Sequence, residues 1–140
     1  MLAATIYCPS DIVFLVQDSG YTSTSFAKVK TFLLQVVSRL DIDSGTTRVG
    51  LVRYSTRPSV SFHLSRHFTV SSVRLAILGL FYSSNTSRSS SNLANALFYV
   101  RRYILTSWRG DRNDVPNVVV IVANRRSSNT SATQVCIINQ

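Results

Sequence analysis

The chain has 140 residues, 45% of them apolar and only 15% charged, with a formal net charge of +9. That length suits one domain with a single core, and the apolar fraction excludes a disordered chain. The cationic balance, with no glutamate and six acids (Asp11, Asp18, Asp41, Asp43, Asp111 and Asp114), favours anionic partners: sulfated glycans, anionic membrane surfaces, nucleic acid or carboxylate-bearing proteins.

The opening MLAATIY lacks a basic n-region, and its apolar run is too short for a signal peptide. Residues 1–10 therefore read as an N-terminal extension, and an exported chain would need a signal not found here. No apolar run approaches the roughly 18 residues of a membrane span. Residues 11–16 (DIVFLV) form a short, branched, almost wholly apolar run, the pattern of a strand buried on both faces in a parallel sheet. An amphipathic helix follows over 25–40, with Phe26, Val29, Leu33, Val36, Val37 and Leu40 spaced three and four apart behind Thr24 or Ser25 as cap. Gly45 marks a loop, and residues 47–55 (TRVGLVRYS) make a second strand.

Residues 59–64 (SVSFHL) alternate, predicting a short edge strand joined through Pro58. A helix is expected over 72–80, then a low-complexity surface loop, SSNTSRSSSN, over 83–92. The helical period returns at Leu93, Ala96, Leu97, Val100 and Ile104, with Ser90 or Ser91 as cap. After the loop TSWRGDRNDVPN, residues 118–123 (VVVIVA) read as a central strand, and 131–140 as the start of another helix. Strands alternating with helices give an α/β fold, an open, mostly parallel sheet flanked by helices. Ligands are expected at the carboxyl ends of its strands, at residues 17–21, in the loop before Leu93, and at residues 124–126.

The stretches SDIVFLVQDSGYTSTSFAKVKTFLLQVVSRLDI, GTTRVGLVRYS, LANAL and VPNVVVIVANRRSSN, in that order, resemble the von Willebrand factor type A domain. They are most similar to the amino-terminal modules of collagen VI α-chains. The resemblance implies a Rossmann-type sheet with a metal-ion-dependent adhesion site built from an Asp-x-Ser-x-Ser turn, a Thr before a later helix and an Asp after the central strand. On this chain those positions fall on Gln17, Ser19, Tyr21, Leu93 and Asn124. Mg²⁺ needs oxygen ligands and carboxylate charge, and only Ser19 is an unaltered ligand. The expectation is a degenerate site without a cofactor, its polar residues hydrogen-bonded to one another. Asp18 in place of Gln17, and Ser91 in place of Leu93, are the alternatives that would restore it.

Arg125 and Arg126 follow Asn124 and are candidates to replace the cation by receiving a partner's carboxylate or sulfate. Arg109-Gly110-Asp111 spells the tripeptide that matrix proteins present to integrins, the plain alternative being that Asp111 pairs with Arg112 or solvent. Asn85 and Asn129 head glycosylation sequons. The basic pairs Lys28/Lys30, Arg53/Arg57 and Arg101/Arg102 read as solvated faces that together suit heparin-like glycans. No nucleic-acid motif, phosphate loop, dinucleotide fingerprint or nucleophile elbow occurs, and His63 and His67 lack an acid between them, so the chain is expected to be non-enzymatic.

Two cysteines, Cys8 and Cys136, allow either one bridge or two free thiols, which leaves the compartment open. The family resemblance implies extracellular matrix, with matrix proteins, collagen, integrin or heparin-like glycans as partners. The alternative is a cytoplasmic, truncated product of the same ancestry, either binding a protein partner or retaining no function. It also implies a domain over 11–140 lacking its last strands and helices, so that residues 118–123 would present an apolar edge prone to self-association.

Overall fold

The computed structural model describes residues 8–87, 90–124 and 136–138. Strand β1 (Ser10–Gln17) is followed by helix α1 (Ser23–Val37), strands β2 (Thr47–Tyr54) and β3 (Pro58–Phe62), and helix α2 (Val70–Leu78). A single helical turn α3 (Ser84–Ser87) precedes α4 (Leu93–Tyr99), which runs on as a π-helical turn (Val100–Ile104). A 3-10 turn (Ser107–Arg109), β4 (Asn117–Val122) and β5 (Cys136–Ile138) follow among the described residues.

The sheet order is β3-β2-β1-β4-β5. β1 pairs in parallel with β2 and with β4, while β3 and β5 are antiparallel edges. The apolar run of β1 explains its central place. Phe14 and Val16 point into one core with Leu33, Val37, Leu51, Val73 and Ile77, under α1 and α2. Val13 and Leu15 point the other way, into a core with Val52, Ala96, Val100 and Ile104 under α4. All four are fully buried, each contributing about 1.5–3 kcal/mol. A strand dry on both faces can sit only inside the sheet.

Three helix starts differ from expectation because several hydroxyl and amide side chains compete for each cap. α1 is capped by Thr22, not Thr24 or Ser25: Ser25 N donates to Thr22 Oγ1 (3.2 Å) and Thr22 N to Ser25 Oγ (2.8 Å), a reciprocal box. Thr69 and Ser72 repeat the arrangement, so α2 begins at Val70, before the expected residue 72. Asn92 rather than Ser90 or Ser91 caps α4, its Oδ1 accepting from Asn95 N (3.0 Å). The expected loop 83–92 holds one turn of helix, α3.

The C-terminal expectation fails more clearly. Residues 136–138 form a strand, not a helix, in keeping with the β-branched pair Ile137 and Ile138. β5 pairs with β4 through Asn117↔Ile138, Val118↔Ile137 and Val119↔Cys136. β4 therefore has a neighbour on each side along its first half, and the expected open edge for self-association is not formed there.

At the amino end of the sheet, Asp11 is fully buried and Arg112 encloses its carboxylate. Arg112 N donates to Oδ2 (2.7 Å), and Nε (2.8 Å) and Nη2 (2.6 Å) donate to Oδ1. The guanidinium also reaches the carbonyls of Ser10 (3.1 Å), Gly45 (2.8 Å) and Thr46 (3.0 Å). Arg112 thus pairs with Asp11 across the fold, and of the two plain alternatives for Asp111, Arg112 or solvent, the first is not the pairing that forms. Removing one partner of such a pair strands a buried charge, so Arg112→Ala is expected to cost about 3–5 kcal/mol in urea unfolding. A loss below about 1 kcal/mol, the value of a surface pair, would show that the clamp carries little.

Candidate functional site

The carboxyl ends of β1, β2 and β4 lie side by side, with Gln17 in register with Tyr54. Gln17 is 1% exposed, so its carboxamide must find partners inside the protein. Asn124 N donates to Gln17 Oε1 (3.0 Å). Because a backbone N–H can only donate, the carboxamide oxygen must face it, and the amide nitrogen is left to donate to Ser19 Oγ (3.2 Å). Asn124 Nδ2 in turn donates to the carbonyl of Gly20 (2.5 Å). The turn between β1 and α1 passes through Gly20 at φ 82°, a left-handed conformation that suits glycine. Together these bonds tie the end of β4 to the turn after β1.

The neighbouring acid is engaged elsewhere. Asp18 forms an ion pair with Arg53, and its N–H donates to Tyr54 O (2.6 Å). Arg53 Nη2 also donates to Phe81 O (2.6 Å), and the guanidinium lies over the Phe26 ring, 5.2 Å from its centroid. Tyr21 is buried with its ring edge-on to Phe26 at 6.0 Å. Its hydroxyl pKa is pushed up to about 12, first by burial and then by the Asp18 carboxylate. Burial, followed by Tyr21, does the same to Tyr54, also to about 12, so both phenols stay neutral. Leu93 opens α4 and packs on the second core, while Ser91 is buried and the N–H of Asn92 is bound by Ser55 O (2.9 Å).

This donor set does not fit a divalent cation. Gln17 turns an N–H toward Ser19 Oγ, the one unaltered ligand, and Asn124 turns its amide nitrogen inward. Tyr21 is a neutral phenol, and the Leu93 side chain has no oxygen. Asp18, the alternative acid, already offsets Arg53.

The sequence placed Gln17, Ser19 and Asn124 at one strand-end face, and the structure brings them into hydrogen-bond contact. Arg125, Arg126 and Asn129 lie outside the described residues, and Asn85 is exposed on α3. Arg53 went unnoticed as a site residue, read only as half of a solvated basic pair with Arg57. The available signal was its place in TRVGLVRY, an arginine inside an apolar strand needing a local partner.

The Arg109-Gly110-Asp111 tripeptide does not form an extended exposed loop. Gly110 is buried at φ 100°, and a Cβ there would lie 2.5 Å from Ser65 N. Its carbonyl accepts from Arg48 Nη1 (2.8 Å), and the Arg109 carbonyl accepts from Ser65 N (3.2 Å). Asp111 is half-buried with Oδ1 unpartnered. The integrin expectation required a presented loop, whereas here the glycine serves a close approach of backbone to backbone.

A family model described as "von Willebrand factor type A domain" matches residues 11–137. The chain belongs to the von Willebrand factor type A domain family. This von Willebrand A domain is 38% identical over 123 residues to the mouse "Collagen alpha-4(VI) chain", covering 86% of this chain and 5% of that one. It is 32% identical to mouse "Matrilin-1" over 84% of this chain and 24% of the relative. It is also 30% identical to the Xenopus laevis "von Willebrand factor A domain-containing protein 2", over 89% and 15%. The chain thus spans a quarter or less of these relatives. Among solved structures, "proximal thread matrix protein 1" of the mussel byssus superposes with TM-score 0.79 at 17% identity, over 89% of this chain and 33% of that chain. A form of the same protein "with zinc occupied MIDAS motif" gives 0.77 at 18%, over 89% and 33%. These likenesses establish the fold.

Burial raises the Asp111 pKa, the Asn117 amide offsets part of that rise, and the Asp11 carboxylate adds to it. A carboxyl whose folded pKa exceeds its unfolded one, near 4, gives stability that is complete below that value and is lost as pH rises through the folded pKa. Asp111→Asn is therefore expected to raise the melting temperature at pH 7 and to leave it unchanged near pH 3. Equal melting temperatures at both pH values would contradict this.

Proposed function

We propose that the chain is a non-enzymatic protein-interaction module of extracellular matrix, of the collagen VI type, whose strand-end face engages partners without a cation. One observation carries the reading: the Gln17 carboxamide stands at the first ligand position and is bound on both sides, by Asn124 N and by Ser19 Oγ. Relatives named as a collagen VI chain and as matrilins support the matrix setting. In this reading the site is degenerate, and Arg125 and Arg126, which follow Asn124 in sequence, supply the positive charge that the cation would have given. They receive a carboxylate or sulfate of the partner by charge-assisted hydrogen bonds.

Unfolding with excess Mg²⁺ and again with chelator tests the first half. An ion bound to the native state at a hundred times its Kd would add about 2.7 kcal/mol. The melting temperature is expected to be the same in both, and a rise with Mg²⁺ would overturn the cation-free reading.

The second half is tested on immobilised collagen VI. Arg125→Ala with Arg126→Ala is expected to weaken capture by roughly tenfold or more, the equivalent of about 1.4 kcal/mol. Unchanged capture would remove these residues from the interface. The net charge of +9 favours a second reading, a heparin-like polyanion binder, which would show heparin affinity falling steeply with salt.

A further inference from the structure

A second concavity lies apart from the Gln17 face, between β3 and α2 and the segment that follows α2. It encloses about 480 Å³ and is lined by Phe62, Leu80 and Phe81 on its apolar side and by Arg53, Arg66 and His67 on its polar side. Its volume is within the roughly 300–1,000 Å³ of small-ligand sites. No acidic residue lines it. Arg66 is exposed and makes no ion pair among the described residues. Arg53 gives Nη2 to Asp18 and the Phe81 carbonyl, yet its buried Nε has no hydrogen-bond partner. His67 stacks edge-on against Phe62 at 5.1 Å, with its pKa lowered by burial and by Arg66, and is neutral at pH 7. Phe81 is 80% exposed at the rim, and the exposed Leu75 and Leu78 of α2 carry apolar surface beyond it.

One cation without an acidic partner among the described residues, Arg66, stands with the unpartnered Nε of Arg53 beside the exposed Phe81, and this calls for a ligand that is both anionic and apolar. We propose that this pocket takes an acidic peptide segment of a protein partner, its carboxylate received at Arg66 with the Arg53 Nε as a further donor, and an adjoining aliphatic or aromatic side chain set against Leu80 and Phe81. A sulfated glycan would satisfy the arginines but leave Leu80 and Phe81 without apolar cover. A concavity of this size admits one or two side chains and not a bilayer face. The inference rests on the reading of the chain as a protein-interaction module, and names the partner chemistry at a place separate from Gln17.

The probe is a fluorescein-labelled hexapeptide alternating glutamate and leucine, measured by fluorescence anisotropy on the full chain in chelator. A counterpart with glutamine for glutamate and heparin form the other arms. The acidic peptide is expected to bind, and Arg66→Ala, Phe81→Ser and the glutamine peptide each to weaken binding by about tenfold, as loss of a charge-assisted hydrogen bond or a buried apolar contact implies. Both substituted side chains are exposed, so the fold is expected to tolerate the changes. As a readout that needs no variant, the peptide is expected to shift backbone amide resonances at Ser61, Phe62, Gly79 and Leu80.

Equal binding of the glutamine peptide, binding indifferent to Arg66→Ala, or amide shifts clustered elsewhere would overturn the pocket. Heparin binding that is lost in Arg66→Ala, with no peptide binding, would overturn it in favour of a glycan. Peptide binding that needs Mg²⁺ and ignores Arg66 would overturn both this proposal and the cation-free reading, whereas Arg66-dependent binding in chelator supports the pocket whatever the melting experiment gives.

Discussion

Everything in this domain is arranged around a strand that must stay dry on both faces. β1 has parallel neighbours on either side and helices above and below, so its side chains from Val13 to Val16 have no route to water. Such a strand is stabilising along its middle but costly at its ends, where polar groups are still buried and must be satisfied by protein. At the amino end that group is the Asp11 carboxylate, and Arg112 satisfies it from 101 residues further along the chain. At the carboxyl end it is the Gln17 carboxamide, satisfied by Asn124 from 107 residues away and by Ser19. Both closures join β1 to the segments bordering β4, so the core and the candidate site are parts of one constraint.

The same constraint shapes the chemistry of the strand-end face. A carboxylate at position 17 would need a cation or an arginine to be tolerated at 1% exposure, because an isolated buried charge is too costly to keep. A carboxamide meets the need with two neutral hydrogen bonds. The charge nearby is handled at the half-buried Asp18 and Arg53 pair, which also holds the Phe81 carbonyl and so joins the closed face to the pocket beside α2.

Much of this was legible in the residues. DIVFLV and VVVIVA announced interior parallel strands by being apolar without alternation, and SVSFHL announced an edge by alternating. The change at Gln17, Tyr21, Leu93 and Asn124 was visible as a change of donor chemistry. The caps were less legible, because Thr22, Thr24, Ser25, Ser90, Ser91 and Asn92 are all competent and only backbone geometry selects among them. The strand at 136–138 was missed because three residues are too few for a period, and pairing with β4 decided their conformation. Arg112 was hidden for a different reason, because its partner Asp11 is 101 residues away and local patterns carry no trace of such pairing, whereas Arg53 left a trace as an arginine inside an apolar strand that did not name Asp18 as its partner. Arg109-Gly110-Asp111 shows the converse, a local pattern with a ready meaning whose glycine proves to be buried against Ser65.

The closed hydrogen-bonded edge is tested most directly by titrating Mn²⁺ into the isotopically labelled chain and watching side-chain amide and backbone resonances for paramagnetic broadening. If Gln17, Ser19 and Asn124 bind one another in place of a cation, the Gln17 side-chain amide and the Asn124 backbone N–H should keep their intensities as Mn²⁺ is added. Selective loss of those signals at low Mn²⁺ would place a divalent ion at the strand ends and contradict the closed edge.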